Sequence, residues 1–291
     1  MAEDLGLTRK SDWLDILTES KDETGESSYR IYFPKTKTEW KIEQILTERV
    51  FDARDTGEHD LYEASGICIA VQTEGPSKSS EAILRVRMQI PPDTSNDEDD
   101  DDREHSKFAK DEISWMADNE IDFLEQLTEK GCSCTPKLLD YRISTQTKDQ
   151  YVPGGYIAFI LMEKVPGRNL NNFHTFTLKE RDEVRIAAAR AIREFYSLGY
   201  RHMDRGRHNL IWDDETKRCF IVDLESVEYV GKPKKFIPNS EFVVWELACK
   251  SRYGNLHTVD PMVSRGNEEA PDDESLRALV SRPLKRKRAK I

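Results

Sequence analysis

The stretch YRHMDRGRHNLIWDDETKRCFIVDLES, Tyr200–Ser226, sets polar side chains at the ends of short apolar runs. NLIW (209–212) predicts one short strand and FIVDLE (220–225) a second, joined by the polar turn DDETKR (213–218). In the second run, Asp223 follows directly after the apolar residues 220–222. A carboxylate at the end of a buried strand is costly unless it is paired or holds a metal. Two interpretations stay open at this point: Asp223 caps a turn, or it is a metal ligand.

The length and composition of the chain limit the classes of protein to which it can belong. The chain has 291 residues, of which 37% are hydrophobic, enough for one large domain or for two lobes with a core. Its formal net charge of -11 argues against general affinity for nucleic acid. No run of about 18 apolar residues occurs, so we expect no membrane span.

Three features bear on where the protein works. The first residues, MAEDLGLTRKSDW, lack the apolar core of a secretory signal. The five cysteines are odd in number and scattered, which favours a reducing compartment. We therefore expect a cytoplasmic or nuclear protein. The run KRKR at 285–288 is either a nuclear import signal or a solvated tail.

Cys132 and Cys134 form a CxC pair without a second ligand pair nearby in the sequence, which disfavours a metal site there.

The order of predicted elements is strands, helix, strands, and then a mainly helical half that carries a small hairpin. This is an α+β pattern with two lobes. The segments that carry it are a hairpin, SGICIAVQTE (65–74) with EAILRVRMQI (81–90); a helix, DEISWMADNEIDFLEQLTEKG (111–131); two strands, TPKLLDYRI (135–143) and YIAFILMEKV (156–165); and two further helices, LKERDEVRIAAARAIREFYSLG (178–199) and EFVVWELACKSRYG (241–254). Predicted boundaries are an N-terminal arm over 1–40, an N-lobe over 41–165 with an acidic disordered insertion at 92–107, a C-lobe over 166–265, and a polar and basic tail over 266–291.

The opening stretch contains the pattern His202-x-Asp204-x4-Asn209, with Asp223 fourteen residues further on. This pattern resembles the catalytic loop H-x-D-x4-N of the protein-kinase-like superfamily. VDLES is similar to the metal-binding D-F-E or D-W-E of the aminoglycoside and choline phosphotransferase branch. Gly206 stands where protein kinases usually carry lysine, and no A-P-E motif follows, which also favours that branch.

The resemblance implies a fold and a set of roles. The fold would be two-lobed and protein-kinase-like, with an N-lobe antiparallel sheet plus one helix and a mainly helical C-lobe. Asp204 would be the catalytic base, Asn209 and Asp223 would bind Mg²⁺ beside ATP, and His202 would support the loop.

Other positions of the family pattern match less well. Met162, Glu163 and Lys164 would hold adenine through backbone groups. Glu120 would pair with a strand lysine that contacts the phosphates, but Arg85 stands at that position, and Arg87 on the same face is a second candidate. A glycine-rich loop is missing from the sequence.

These patterns leave three hypotheses of different classes. The first is an ATP- and Mg²⁺-dependent phosphotransferase whose acceptor, a small molecule or a protein hydroxyl, the sequence does not identify. The second is a catalytically weak or inactive pseudokinase that binds nucleotide or acts as an interaction scaffold. The third is an unrelated α+β protein in which these residues cap turns. A nucleotide is the expected partner, nucleic acid and membrane are not, and the sequence assigns no oligomeric state.

Overall fold

The computed structural model describes residues 11–19, 29–57, 61–76, 78–92, 102–234 and 238–248. They fall into two compact units. The first lies within 1–131 and 136–164, and the second lies within 132–135 and 165–291. The break after Lys164 adjoins the predicted boundary at 165. The predicted tail, 266–291, lies outside the described residues.

A six-stranded antiparallel sheet dominates the first unit. Its strands are β1 (Ile31–Phe33), β2 (Thr38–Phe51), β3 (Tyr62–Glu74), β4 (Glu81–Ile90), β5 (Leu138–Thr145) and β6 (Tyr156–Met162). Their order in the sheet is β1-β2-β3-β4-β6-β5. The hairpin β3–β4 pairs Ile67 with Arg85 and Ser65 with Arg87, which fixes where the two arginines lie on the sheet.

The sheet curls until its two edges meet. Beyond β1, the Thr36 backbone N–H and hydroxyl each donate to Asp140 Oδ2 of β5 over 2.8 Å. Arg142 of β5 donates to the Tyr32 carbonyl over 3.2 Å. Every residue of β6, YIAFILM, is buried, which explains why this strand is continuously apolar rather than alternating. The first unit is therefore a nearly closed barrel around an apolar core.

Two helices accompany the sheet: α1 (Ala53–Thr56) and α2 (Trp115–Glu129). The Ser114 side chain caps α2 by accepting from the Ala117 N–H, and Gly131 follows the helix at φ +67°. Short 3₁₀ helices lie at Trp13–Leu17 and Asp102–Phe108. The second of these lies at the end of the predicted acidic insertion, and 93–101 lie outside the described residues.

The second unit combines short strands with one long helix. Its elements are β7 (Arg168–Asn169), α3 (Leu178–Ser197), β8 (Tyr200–His202), β9 (Leu210–Asp213), β10 (Arg218–Ile221), β11 (Val227–Tyr229) and α4 (Pro238–Val244). Thr177 and Glu180 form a capping box at the start of α3, and Gly199 at φ +86° follows its end. β9 lies between β10 and β7, and β8 pairs with β11, each pair antiparallel.

The predicted fold class is wrong. The described chain is an α+β protein dominated by the six-stranded sheet, with α2 and α3 as its two substantial helices, and not a two-lobed protein-kinase-like fold with a mainly helical C-lobe. In the second unit, the residues between α3 and α4 form short strands and turns. Of the predicted helix at 241–254, only 241–244 are helical among the described residues, because α4 stops at Val244 and Glu246 adopts φ +56°, outside the helical region. Residues 249–254 lie outside the described residues.

Within the described residues, no helix combines the length and the apolar character that crossing a bilayer requires.

Candidate functional site

The quoted stretch contains strand β8, which pairs with β11 directly after the stretch, and the hairpin β9–β10; the polar residues lie in the turns between these strands. His202 at the end of β8 pairs with Val227 of β11. The chain then passes Asp204, makes a 3₁₀ turn at Arg207–Asn209, and enters the hairpin β9–β10, in which Leu210 pairs with Ile221. The start and the end of the hairpin are therefore adjacent, which brings the chain back beside Asn209 just before Asp223.

The side-chain amide of Asn209 donates hydrogen bonds to both the backbone carbonyl and the side chain of Asp204. Its Nδ2 lies 2.8 Å from the Asp204 carbonyl oxygen and 3.2 Å from Asp204 Oδ2. Both of these atoms accept hydrogen bonds, so the contacting atom is the amide nitrogen and not Oδ1. Asn209 is buried, whereas the Asp204 side chain is 57% exposed. The arrangement holds an accessible carboxylate on a fixed backbone.

Asp223 occupies a strained backbone conformation. It has φ +63° and ψ +62°, the left-handed region that residues other than glycine adopt at a cost. The preceding Val222 donates its N–H to the Asn209 carbonyl over 3.0 Å. This bond fixes the hairpin end next to Asn209, and the left-handed turn then directs the chain into the 3₁₀ helix Leu224–Ser226. Strain of this kind is frequent where a side chain must be aimed at a ligand.

His202 lies beneath the loop and is buried. Its Nε2 is 3.2 Å from the Val222 carbonyl oxygen and 3.0 Å from that of Asp223. Because carbonyl oxygens can accept but not donate, Nε2 must carry the proton. Burial lowers the pKa of His202, which favours the neutral ring. The residue therefore supports the backbone on both sides of the turn at Asp223.

Gly206 makes room for a second histidine. Any side chain at 206 would collide with the imidazole of His208. That ring places Nε2 3.1 Å from Asp204 Oδ2. A lysine at 206, as in protein kinases, would need the His208 ring to move.

In the first unit, Arg85, Arg87 and Glu120 belong to one buried charge cluster. Arg85 Nε lies 3.2 Å from Glu120 Oε1, and Arg87 Nη2 lies 3.5 Å from Glu120 Oε2. Arg87 Nη1 also lies 2.6 Å from Glu63 Oε1. The cluster thus pairs two guanidinium groups with two carboxylates, and all four side chains are at most 5% exposed.

Glu63 is a member of this cluster that the sequence did not reveal. Its Oε2 accepts from the Ser114 hydroxyl over 2.7 Å and from the Tyr156 hydroxyl over 2.6 Å. Burial, followed by the charge of Glu63, raises the pKa of Tyr156, so the phenol stays a donor. These partners are 51 and 93 residues away in the chain, so no local pattern signals the role.

Met162, Glu163 and Lys164 lie at the end of β6. Met162 is buried and pairs with Ile83 and Leu138. The Glu163 N–H donates to the Lys137 carbonyl over 2.9 Å, so this donor is already used within the sheet. The Lys164 ammonium contacts Glu81.

A second group of potential ligands consists of Cys132, Cys134 and Glu194. The two sulfur atoms are 3.4 Å apart, and both cysteines are buried. The hydrogen bond with Cys134 lowers the pKa of the Cys132 thiol to about 7, and the same contact raises that of Cys134. Glu194 comes from α3, 61 residues after Ser133, so the CxC pattern by itself does not reveal the third residue.

No protein-family model and no curated protein sequence matches the chain.

Proposed function

We propose that the protein is an ATP- and Mg²⁺-dependent phosphotransferase and that Asp204, Asn209 and Asp223 perform the reaction. The single observation that carries the proposal is the geometry of the loop. Asn209 is bonded to Asp204, and its carbonyl accepts from Val222, next to the strained Asp223. The resemblance of the stretch to the kinase-like catalytic loop supports the same chemistry. We propose this chemistry for the loop alone, because the described residues do not form the fold that the resemblance implied.

The donor set fits Mg²⁺. Magnesium prefers oxygen ligands from one or two protein groups and takes the remainder from phosphates and water. Both Asn209 Nδ2 contacts go to Asp204, which leaves Oδ1 as the atom that could bind a metal, and Asp223 adds a carboxylate. When bound, Mg²⁺ would neutralise the charge that develops on the phosphate oxygens.

Asp204 is suited to the acceptor side of the reaction. Its exposed carboxylate can accept the proton of an acceptor hydroxyl while that oxygen forms a bond to the terminal phosphorus of ATP. The bond between the phosphorus and the bridging oxygen breaks, and ADP leaves. The proton passes from Asp204 to solvent, and the acceptor keeps the phosphoryl group.

Mg-ATP is expected to stabilise the folded protein, and ATP with EDTA is expected to do so less. A ligand at about a hundred times its dissociation constant adds about 2.7 kcal/mol to the free energy of unfolding. Thermal denaturation with Mg-ATP, with ATP plus EDTA and with Mg²⁺ alone checks this. Equal melting temperatures under all conditions at millimolar nucleotide would contradict both the enzyme and a nucleotide-binding scaffold.

A specific observation favours a scaffold as the second candidate. Arg85, at the position where the kinase-like pattern has lysine, is 5% exposed, and its partner Glu120 is shared with the buried Arg87. A side chain buried to this degree contributes to the fold of its own unit rather than to a ligand. A pseudokinase would bind nucleotide and release no ADP with any acceptor tested.

The run KRKR at 285–288 gives a prediction about location. We propose an intracellular protein whose nuclear fraction depends on this run, which lies outside the described residues. Replacing the four residues by glutamine in a tagged full-length chain is expected to shift the protein toward the cytoplasm. An unchanged distribution by fluorescence microscopy would exclude the signal and favour a plain solvated run.

A further inference from the structure

The cluster of Cys132, Cys134 and Glu194 lies in the second unit and takes no part in the proposed phosphoryl transfer. One potential ligand atom from each residue lies within 4.8 Å of the other two. Thiolate sulfur is a soft ligand that selects Zn²⁺ and similar cations over Mg²⁺. The chemistry of this site therefore differs from that of the all-oxygen group at Asn209 and Asp223.

We propose that Cys132, Cys134 and Glu194 form a binding site for one thiophilic divalent cation of the Zn²⁺ class. A zinc–sulfur distance of about 2.3 Å places two sulfurs of a tetrahedral site about 3.8 Å apart. The observed separation of 3.4 Å needs only a small widening. A disulfide would need the sulfurs to close to about 2.05 Å, a larger change. The spacing is therefore nearer to that of a chelate than to that of a disulfide.

The Glu194 carboxylate is oriented by Ser133, the residue between the two cysteines. The Ser133 N–H donates to Oε1 over 2.5 Å, and its hydroxyl donates to Oε2 over 2.8 Å. A carboxylate has about four lone-pair directions, so both oxygens retain the capacity to bind a cation. Partners that orient a ligand in this way are usual around protein metal sites.

Binding replaces the two thiol protons, which pass to solvent as the sulfurs coordinate the ion. Three protein ligands leave a fourth position of the tetrahedron for water or an external ligand. The ion would fasten the segment 132–135 to α3. The same segment contacts β10, because the Cys134 carbonyl accepts from the Ile221 N–H over 2.7 Å.

Titration with Co²⁺, followed by displacement with Zn²⁺, tests the proposal on the reduced full-length chain. A Cys249→Ser background removes the cysteine that lies outside the described residues. We expect thiolate-to-cobalt charge-transfer absorption that saturates at one ion per chain and disappears with Zn²⁺. Cys134→Ser should abolish it. Glu194→Gln should keep the band and weaken the affinity at least about tenfold.

Cys68→Ser is the matched control, because Cys68 is a buried thiol of β3 outside the ligand group and its loss should leave the band unchanged. A method without substitutions covers the case in which a variant fails to fold. Zn²⁺ should slow alkylation of Cys132 and Cys134 in the unaltered protein, as read by peptide mass mapping. Absence of the band in the reduced background protein, or equal alkylation rates with and without Zn²⁺, would overturn the site.

Discussion

Asp204→Asn is expected to lower the rate of phosphoryl transfer by about 10²–10⁴-fold, because removing a positioned general base has this effect. The amide has nearly the same shape and can still accept from Asn209 Nδ2, which bonds both the Asp204 carbonyl and its side chain. It cannot take a proton from an acceptor. Affinity for Mg-ATP should therefore stay near that of the unaltered protein.

The measurement is ADP release with a panel of hydroxyl and amine acceptors, combined with calorimetric binding of Mg-ATP. Asp214→Asn is the control, because it makes the same chemical change at an exposed residue of the turn between β9 and β10. Equal rates for the unaltered protein and Asp204→Asn would show that Asp204 is not the base. A wild type that binds Mg-ATP and releases no ADP would instead support the scaffold.

Asp223→Asn separates metal binding from proton transfer. Asparagine tolerates the left-handed backbone at φ +63°, so the turn should persist while a charged oxygen ligand is lost. We expect weaker binding of Mg-ATP and unchanged binding of ATP in EDTA. Weakening that is the same with and without Mg²⁺ would contradict the role of Asp223 as a metal ligand.

Local patterns in the sequence predicted the elements whose signals are local. The alternating residues of β3 and β4, and the helical spacing and terminal glycines of α2 and α3, gave elements close to those observed. The hairpin between Asn209 and Asp223 was predicted from its polar turn and two apolar runs. In each case the pattern and the fold agree over a few turns or one strand pair.

Longer-range features were missed for physical reasons. β2 is fourteen residues long, but its register shifts between Ile42 and Gln44 and between Ile45 and Thr47, which interrupts the period-two alternation. Glu194 has the pattern of an ordinary polar residue of α3, and only the fold brings it to Ser133, 61 residues away. The sequence predicted too much helix in the second half of the chain. The spacing of apolar residues after Asp223 is helical, but it gives no sign of the left-handed backbone at Glu246.

The cluster of Arg87, Glu63, Arg85 and Glu120 is expected to be the most sensitive part of the first unit to single substitutions. It ties strands β3 and β4 to helix α2 through charges that solvent barely reaches. Removing one partner of a buried ion pair leaves an uncompensated charge and costs about 3–5 kcal/mol. Arg87→Met should therefore lower the free energy of unfolding by an amount in this range. Glu63 loses its contact with Arg87, and Glu120 keeps only the contact with Arg85 among the ion pairs of this cluster.

The companion variant Arg87→Met with Glu63→Gln tests the cause. It removes one charge of each sign and leaves Arg85 paired with Glu120, so the net charge of the cluster returns to zero. Glutamine can also accept from Ser114 or Tyr156, which keeps part of the hydrogen bonding of Glu63. The double variant should be more stable than Arg87→Met alone, although it lacks one more native group.

Urea unfolding of the full chain, followed both by tryptophan fluorescence and by circular dichroism, measures these differences. Two probes are needed because a chain with two compact units can unfold in more than one step. Lys35→Met serves as the control: it breaks an ion pair with Glu125 in which the lysine is 66% exposed, and such pairs add little to stability. If Arg87→Met unfolds like Lys35→Met, or if adding Glu63→Gln lowers stability further, charge balance is not what the cluster contributes. We expect instead that Arg87→Met is clearly less stable than Lys35→Met and that adding Glu63→Gln recovers part of the loss. In Arg87→Met, two carboxylates remain buried beside one arginine, Arg85.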